Sequence, residues 1–200
     1  MLEGLVQTEG EPERDGRRRR GQANRDAIVR AMMDLVEAGE TTPNAAKVAD
    51  LAGVGLRTVY RHFDDMDSLY REMSRLVRKD LEPVIAGDFE GANVHERLDH
   101  LVRRRVAAYE LVMPTKIAAN IRRFSSDFIM SDYHDGLRLE ECGLRLALSV
   151  VDNVDDELFE SLRVVTSFQC WRGLRLDQEL SVEAAGAVMR RLVKSLTRDL

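Results

Sequence analysis

Seven consecutive residues, 56–62, concentrate side chains that are able to contact nucleic acid. If they form a helix, its outward positions hold two arginines, a tyrosine, a histidine and a threonine, and no acid. Guanidinium groups bond base edges and phosphates, while hydroxyl and imidazole groups bond phosphates. We therefore predict DNA contacts for Leu56, Arg57, Thr58, Tyr60, Arg61 and His62.

These side chains need a rigid support, and the segment 44–63 has the pattern of a helix, a short turn and a second helix. The small Ala49 lets the two helices approach, and Gly53 can take the left-handed conformation that the turn requires. Three valines would fill the corner between the helices, namely Val48, Val54 and Val59. An ordinary helical hairpin with a glycine at its corner is the alternative, but it leaves the basic outer face unexplained.

A first helix is predicted for about 22–38, because apolar residues recur there every three or four positions. Asn44 is expected to cap the second helix, and a long fourth helix is predicted for about 66–85. Residues 1–16 are expected to form a disordered tail. A basic block precedes the first helix, and we favour contact with DNA phosphates over a solvated charge run for its members, Arg17, Arg18, Arg19 and Arg20.

Charge is distributed unevenly along the chain. The 200 residues carry a formal net charge of −5, which by itself argues against a nucleic-acid partner. Residues 14–30, however, hold seven Arg and two Asp, a balance of +5, and residues 44–62 have a balance of +2. The electrostatic field is therefore expected to be positive where DNA would lie.

The sequence gives little support to a membrane protein, a secreted protein, a metal-binding protein or an enzyme. No apolar run approaches about 18 residues, so no transmembrane helix is expected, and no secretory signal is recognisable. Cys142 and Cys170 make neither a disulfide framework nor a zinc site, so a reducing cytoplasm is expected. His95 and Asp99 lie four residues apart, but no second cluster completes a metal site. Because catalytic and phosphate-loop motifs are also missing, we expect no enzyme activity, no catalytic residue and no cofactor.

The rest of the chain predicts five further helices, so the whole chain is expected to be all-α with about nine helices. Two terminal helices within about 155–200 carry small residues and apolar faces, and we predict that they form a homodimer interface; the alternative is that they only close the core of one protomer. The predicted domains are a helix–turn–helix domain, 17–65, and a C-terminal bundle, 66–200. The five later helices are predicted at about 94–113, 114–124, 127–152, 155–176 and 181–200.

The segment 44–69, in which AGV is followed by TVYRHF, resembles the TetR family of transcriptional regulators. The resemblance implies an N-terminal three-helix DNA-binding domain and a C-terminal helical domain that binds a small effector and forms a homodimer. It places Leu56, Arg57 and Thr58 at positions that contact bases or nearby phosphates. It places three further residues at positions that contact the phosphate backbone, namely Asn44, Tyr60 and His62.

Two residues depart from the family pattern. Met66 stands where the family usually has a lysine, so one phosphate contact is expected to be missing. Gly55 stands where a serine or threonine usually caps the recognition helix, and glycine weakens such a cap by only a few tenths of a kcal/mol. Both departures suggest that the arginine block supplies more of the backbone affinity.

The resemblance implies a sequence-specific regulator, most simply a repressor that a small molecule releases from a palindromic operator. The alternatives are a DNA-binding dimer without an effector, and a helical carrier or enzyme with a vestigial helix–turn–helix. A largely apolar effector is expected, although Arg122 and Arg123 could pair with an acidic one. The predicted pocket residues are bulky or polarisable, namely Tyr109, Met113, Phe124, Phe128, Cys142, Phe168, Cys170 and Trp171.

Overall fold

The computed structural model describes the backbone of residues 11–200, the burial of Gly16, and the side chains of residues 18–200. Its regular elements are helical throughout this range, which confirms the predicted all-α class. The α-helices are α1 Glu11–Glu37, α2 Ala45–Ala52, α3 Leu56–His62, α4 Met66–Ile85, α5 Val94–Arg122, α6 Asp127–Leu148, α7 Asp156–Val165, α8 Phe168–Arg172 and α9 Val182–Leu196. A 3₁₀ turn, Arg123–Ser125, precedes α6, and a π turn, Gly173–Asp177, follows α8.

The chain divides into two compact units, and the division lies inside α4, between Met73 and Ser74. In the first unit, α1 packs on α2 and α3 through a buried apolar face that includes Ile28, Met32 and Val36. No helix in the described part of the chain is long and apolar enough to cross a membrane.

Helix α1 begins earlier than the sequence pattern predicts. It starts at Glu11 instead of near Gln22, so residues 11–16 of the predicted disordered tail are helical. Arginine, glutamate and glutamine are good helix formers, and a proline such as Pro12 is tolerated in the first turn of a helix. The other residues of the predicted tail, 1–10, lie outside the described part of the chain.

The core of the second unit surrounds Trp171 and Phe168, which are almost fully buried. Helix α5 runs through this core and packs on α6, α8 and α9. It continues through Pro114, where the sequence predicted the end of one helix and the start of another. Proline removes a backbone donor, but the flanking Met113 and Ala118 are buried, so tertiary packing keeps the helix continuous.

The predicted eighth helix, 155–176, is in fact broken. The backbone N–H of Thr166 ends α7 by donating to Leu162, and the Ser167 hydroxyl accepts from the N–H of Cys170 to begin α8. Serine and threonine compete with helical bonding in this way when they bond the nearby backbone. The predicted seventh helix also ends early, at Leu148 instead of near residue 152.

Candidate nucleic-acid interface

The corner between α2 and α3 is set by local backbone chemistry. The Asn44 side-chain oxygen accepts from the N–H groups of Ala46 and Lys47, at 3.1 and 3.0 Å, and thereby caps α2. At the other end of α2, Gly53 has a φ of +66° and its N–H bonds back to the helix. That conformation belongs to the left-handed region, where a side chain is disfavoured.

Behind this corner the packing is apolar. Val48, Ala49 and Val59 are buried, with at most 3% of each residue exposed, and Val54 is half-buried. Val59 is the buried residue of α3 and fixes which side of that helix turns inward. The opposite side of α3 therefore points away from the core of the first unit.

The outward side of α3 carries most of the predicted contact residues. Arg57 and Arg61 are exposed, and Leu56 and Tyr60 have 45% and 52% of their surface exposed. Thr58 is half-buried. Gly55 precedes the helix without a side-chain cap, so the first N–H groups of α3 have no cap acceptor there. An exposed leucine and tyrosine between two arginines suit a surface that packs on a base or sugar as well as bonding phosphate.

His62 differs from the other predicted contact residues. It is half-buried, and its Nε2 is enclosed without a hydrogen-bond partner within the described residues. Burial is the main cause that lowers the pKa of His62 below 6.5, and the positive charges of Arg61 and Arg25 lower it further. The imidazole is consequently neutral near pH 7 and brings no positive charge to the surface.

Arg25 of α1 holds the end of α3, a role that the sequence pattern did not predict. Its Nη1 donates to the carbonyl of His62 at 3.0 Å, and its Nη2 pairs with the Glu72 carboxylate of α4 at 3.1 Å. The guanidinium also stacks over the Phe63 ring, 4.4 Å from its centre. We call this set of contacts the Arg25 bridge. Its one sequence signal is that Arg25 stands three residues before Ile28, on the inward side of α1.

The arginine block is part of α1 and does not precede it. The sequence predicted an arm ahead of the helix, but Arg18, Arg19 and Arg20 lie within α1 and are exposed. The Nε of Arg20 donates to the Gly16 carbonyl at 3.3 Å, which is a bond within this helix. The side chain of Arg17 lies outside the described residues. The described arginines are thus presented from a helical surface, spaced about 100° apart, and not from an extended arm.

The predicted effector-pocket residues differ in their burial, and their part in binding an effector stays a prediction. Four of them, Tyr109, Met113, Phe168 and Trp171, are buried members of the second unit's core. Phe124 is 78% exposed, Cys142 is exposed, and Phe128 and Cys170 are half-buried. Two clefts of this unit are lined by other residues.

The fold is similar to that of a solved transcriptional regulator from Rhodococcus sp. Rha1, with a TM-score of 0.70 and 15% sequence identity over 87% of this chain and 96% of that chain. A TetR transcriptional regulator from Rhodococcus sp. RHA1 aligns over 89% of this chain and 98% of that chain, with 18% identity and a TM-score of 0.49. No protein-family model and no curated protein matches the chain. At 15% identity the similarity concerns the fold: the chain has the all-helical fold of a transcriptional regulator of known structure.

Proposed function

We propose that the chain is a sequence-specific DNA-binding transcriptional regulator of the TetR type. The observation that carries the proposal is α3, whose inward side is anchored by buried Val59 while Arg57, Tyr60 and Arg61 remain exposed. The fold similarity to a solved transcriptional regulator supports the same function. Because DNA is its target, we place its action in the cytoplasm.

Within this proposal the contacts divide into base reading and backbone binding. Arg57 can donate two hydrogen bonds to a guanine edge, and Leu56 can pack on a thymine methyl. Asn44 uses its side-chain oxygen for the helix cap, so its amide N–H₂ is the group that would donate to a phosphate. Tyr60 and Arg61 would bond phosphates on either side of the groove, and the exposed arginines of α1 would add charge.

A gel-shift titration tests DNA recognition directly. The DNA upstream of the protein's own gene should bind more tightly than random DNA of the same length, by about 10³-fold or more at physiological salt, as in specific regulators. Equal affinity for both DNAs would contradict the proposal. The salt concentration has to be held constant, because phosphate contacts make all affinities salt-dependent.

We further propose that the protein acts as a homodimer through α9 and the preceding segment, about 155–200. Helix α9 carries two partly exposed leucines at four-residue spacing, Leu192 and Leu196, and each is 38% exposed. They lie three and seven residues after the buried Met189, so they border the buried face of this helix. A two-fold dimer would match a palindromic site with half-sites about 34–36 Å apart.

Sedimentation of a double variant, Leu192→Glu with Leu196→Glu, tests the dimer. Charges at these two positions should convert dimers to monomers while the helical circular-dichroism spectrum stays unchanged, because neither leucine is among the buried core residues. The exposed Leu139→Glu, on α6, is the matched control and should remain dimeric. A double variant that sediments as the wild type would place the interface elsewhere.

The regulatory step would follow from α4, which continues from the first unit into the second. A small molecule bound in the helical bundle would favour one position of α4, and the separation of the two recognition helices would change, so that a repressor leaves its operator. The ligand can act only through its different affinities for the two states. A reporter gene under the upstream DNA should be silent with the protein and expressed when the effector is added.

A further inference from the structure

A cleft of about 300 Å³ opens in the second unit between α6, α7 and α8. This volume is at the lower end of the range for small-molecule sites. Most of its lining side chains are polar or charged, and Arg105 of α5 is one of them. The cleft therefore differs in character from the apolar pocket that the sequence suggested.

Arg105 is a buried charge. Only 7% of the residue is exposed, although a guanidinium is rarely buried unless an anion accompanies it. Its Nη1 donates to the Thr166 carbonyl at 2.9 Å and to the Thr166 hydroxyl, and its Nη2 donates to the Glu140 carbonyl. All three acceptors are neutral, and no carboxylate of the described chain forms an ion pair with Arg105.

The acidic side chains around the cleft already have cationic partners. Glu140 pairs with Lys116 at 3.0 Å, and Glu160 pairs with Arg163 at 2.7 Å. The third, Glu141, pairs with Arg145 at 2.8 Å and reaches Arg163 at 4.0 Å. Each of the three carboxylates that line the cleft therefore has a cationic partner other than Arg105. Arg105 is the buried cation of this cleft that no carboxylate pairs with.

We propose that this cleft binds a small organic carboxylate, whose anionic group pairs with Arg105. Three hydrogen bonds occupy three of the five N–H donors of the guanidinium, so two donors remain for the ligand. Leu137 and Val164 on the cleft wall provide apolar surface for its hydrocarbon part, and the Gln169 amide lies at the same cleft. Binding of a carboxylate in this cleft does not depend on the proposed function, whereas the assignment of the cleft as the effector site rests on it.

The position of Arg105 also explains how binding could be sensed. Its partner Thr166 is the first residue of the break between α7 and α8, and the Thr166 carbonyl also accepts from the Tyr109 hydroxyl at 3.0 Å. An anion that draws the guanidinium towards the cleft would compete with these bonds. The break between the two helices is therefore the first element that a bound carboxylate would affect.

Calorimetric titration of the full chain with benzoate and hexanoate, beside their neutral amides benzamide and hexanamide, tests the proposal. At least one carboxylate should bind at millimolar concentration or below, and its amide should not. Arg105→Lys, which keeps the charge and loses the planar fork, should weaken binding about tenfold or more. The matched control Arg138→Lys changes an exposed arginine of α6 that pairs with Asp135, and it should bind as the wild type.

Gln169→Trp, at an exposed position of the cleft, should block binding without altering Arg105, and it keeps the test valid if the Arg105 variant fails to fold. The proposal is overturned if neither carboxylate binds, if carboxylate and amide bind alike, or if Gln169→Trp or a folded Arg105→Lys variant binds as the wild type. Gel shifts in the absence of carboxylate distinguish the carboxylate site from the proposed DNA-binding function. Carboxylate binding with no preference for the upstream DNA would leave this site standing and remove the regulator function.

Discussion

The arginines of this chain show how one side chain serves different purposes in different surroundings. Arg57 and Arg61 are exposed on the outward side of α3, where guanidinium groups can bond bases and phosphates. Arg25 is committed to the protein itself through a carbonyl, a carboxylate and an aromatic ring. Arg105 is buried beside neutral acceptors. Residue type alone therefore does not distinguish a contact residue from a structural one.

Arg25→Gln should loosen the recognition helix without removing any exposed side chain of α3. Loss of the charged bond to the His62 carbonyl and of the partly exposed pair with Glu72 should lower the free energy of unfolding by about 1–3 kcal/mol. Arg25→Lys keeps the charge but loses the planar guanidinium that makes two contacts at once. The free energy of unfolding of this variant should lie between those of Arg25→Gln and the wild type. Urea unfolding measures the effect, and wild-type stability in Arg25→Gln would show that the bridge is not needed.

The lowered pKa of His62 predicts a pH dependence with a definite sign. Because the folded protein holds this pKa below 6.5, the unfolded chain takes up the proton first as the pH falls. Its contribution to stability is complete above about pH 6.5 and is lost as the pH falls through the folded pKa. NMR titration should find the His62 pKa below 6.5, and higher in Arg25→Gln because a nearby positive charge is removed.

A His62 pKa at or above 6.5 in the wild type would contradict this account of its burial. A neutral His62 also neutralises no DNA phosphate at pH 7, so it causes no counter-ion to leave the DNA on binding. The slope of log affinity against log salt should consequently be the same at pH 7 and pH 8.

The elements that were predicted well are those whose ends are set by residues close together in the chain. The pattern of 44–63 predicts a second helix at the end of this segment, and a fourth helix is predicted for about 66–85; the structure has α3 Leu56–His62 and α4 Met66–Ile85. Asn44 and Gly53 act on the backbone within a few residues, so their effect is readable from the chain itself.

Elements that depend on distant contacts were predicted less well. Helix α5 continues through Pro114 because its flanks are buried by other helices, and the break at Thr166 is supported by Arg105, 61 residues away. The burial of the predicted pocket residues could not be read from the sequence for the same reason, since an aromatic side chain looks alike in a sequence whether it fills a core or lines a cavity. Arg105 carried no local signal, because its importance comes from its burial.

The turn between α2 and α3 should be sensitive to its glycine. Gly53→Ala places a side chain at a φ of +66°, although nothing lies within 4 Å of the new Cβ. The cost is therefore conformational, about 1 kcal/mol, and not steric. Gly55→Ser, next to the same turn at a φ of −70° and at a helix-cap position that serine suits, is the control and should not lower stability. Thermal unfolding decides between them, and equal losses would contradict the assigned role of Gly53.

The arginines of α1 should act on all DNA sequences alike. Replacing Arg18, Arg19 and Arg20 by glutamine removes charge but keeps good helix formers. Specific and random DNA should lose affinity by similar factors, and the salt dependence should become shallower by up to about 0.9 for each phosphate contact removed. A loss confined to the specific site would mean that these arginines read bases.

At the scale of the whole molecule, the two compact units separate two kinds of chemistry. The first unit builds an exposed, positively charged helix on a small apolar corner, while the second holds the larger core and the cleft beside the buried Arg105. Helix α4 contributes residues to both units, so under the proposed function it would be the covalent connection between effector binding and DNA binding. A formal net charge of −5 is compatible with this arrangement because the interface charge is local.

The central claim is that α3 reads bases, and binding of Arg57→Ala to a set of single-base variants of the preferred DNA tests it most directly. The substitution should cost about 1–3 kcal/mol on the preferred sequence and remove discrimination at one base pair of each half-site. The exposed control Arg138→Ala should retain both affinity and discrimination. If Arg57→Ala keeps the wild-type affinity and the wild-type ranking of the variants, α3 does not recognise the sequence through Arg57 and the account is contradicted.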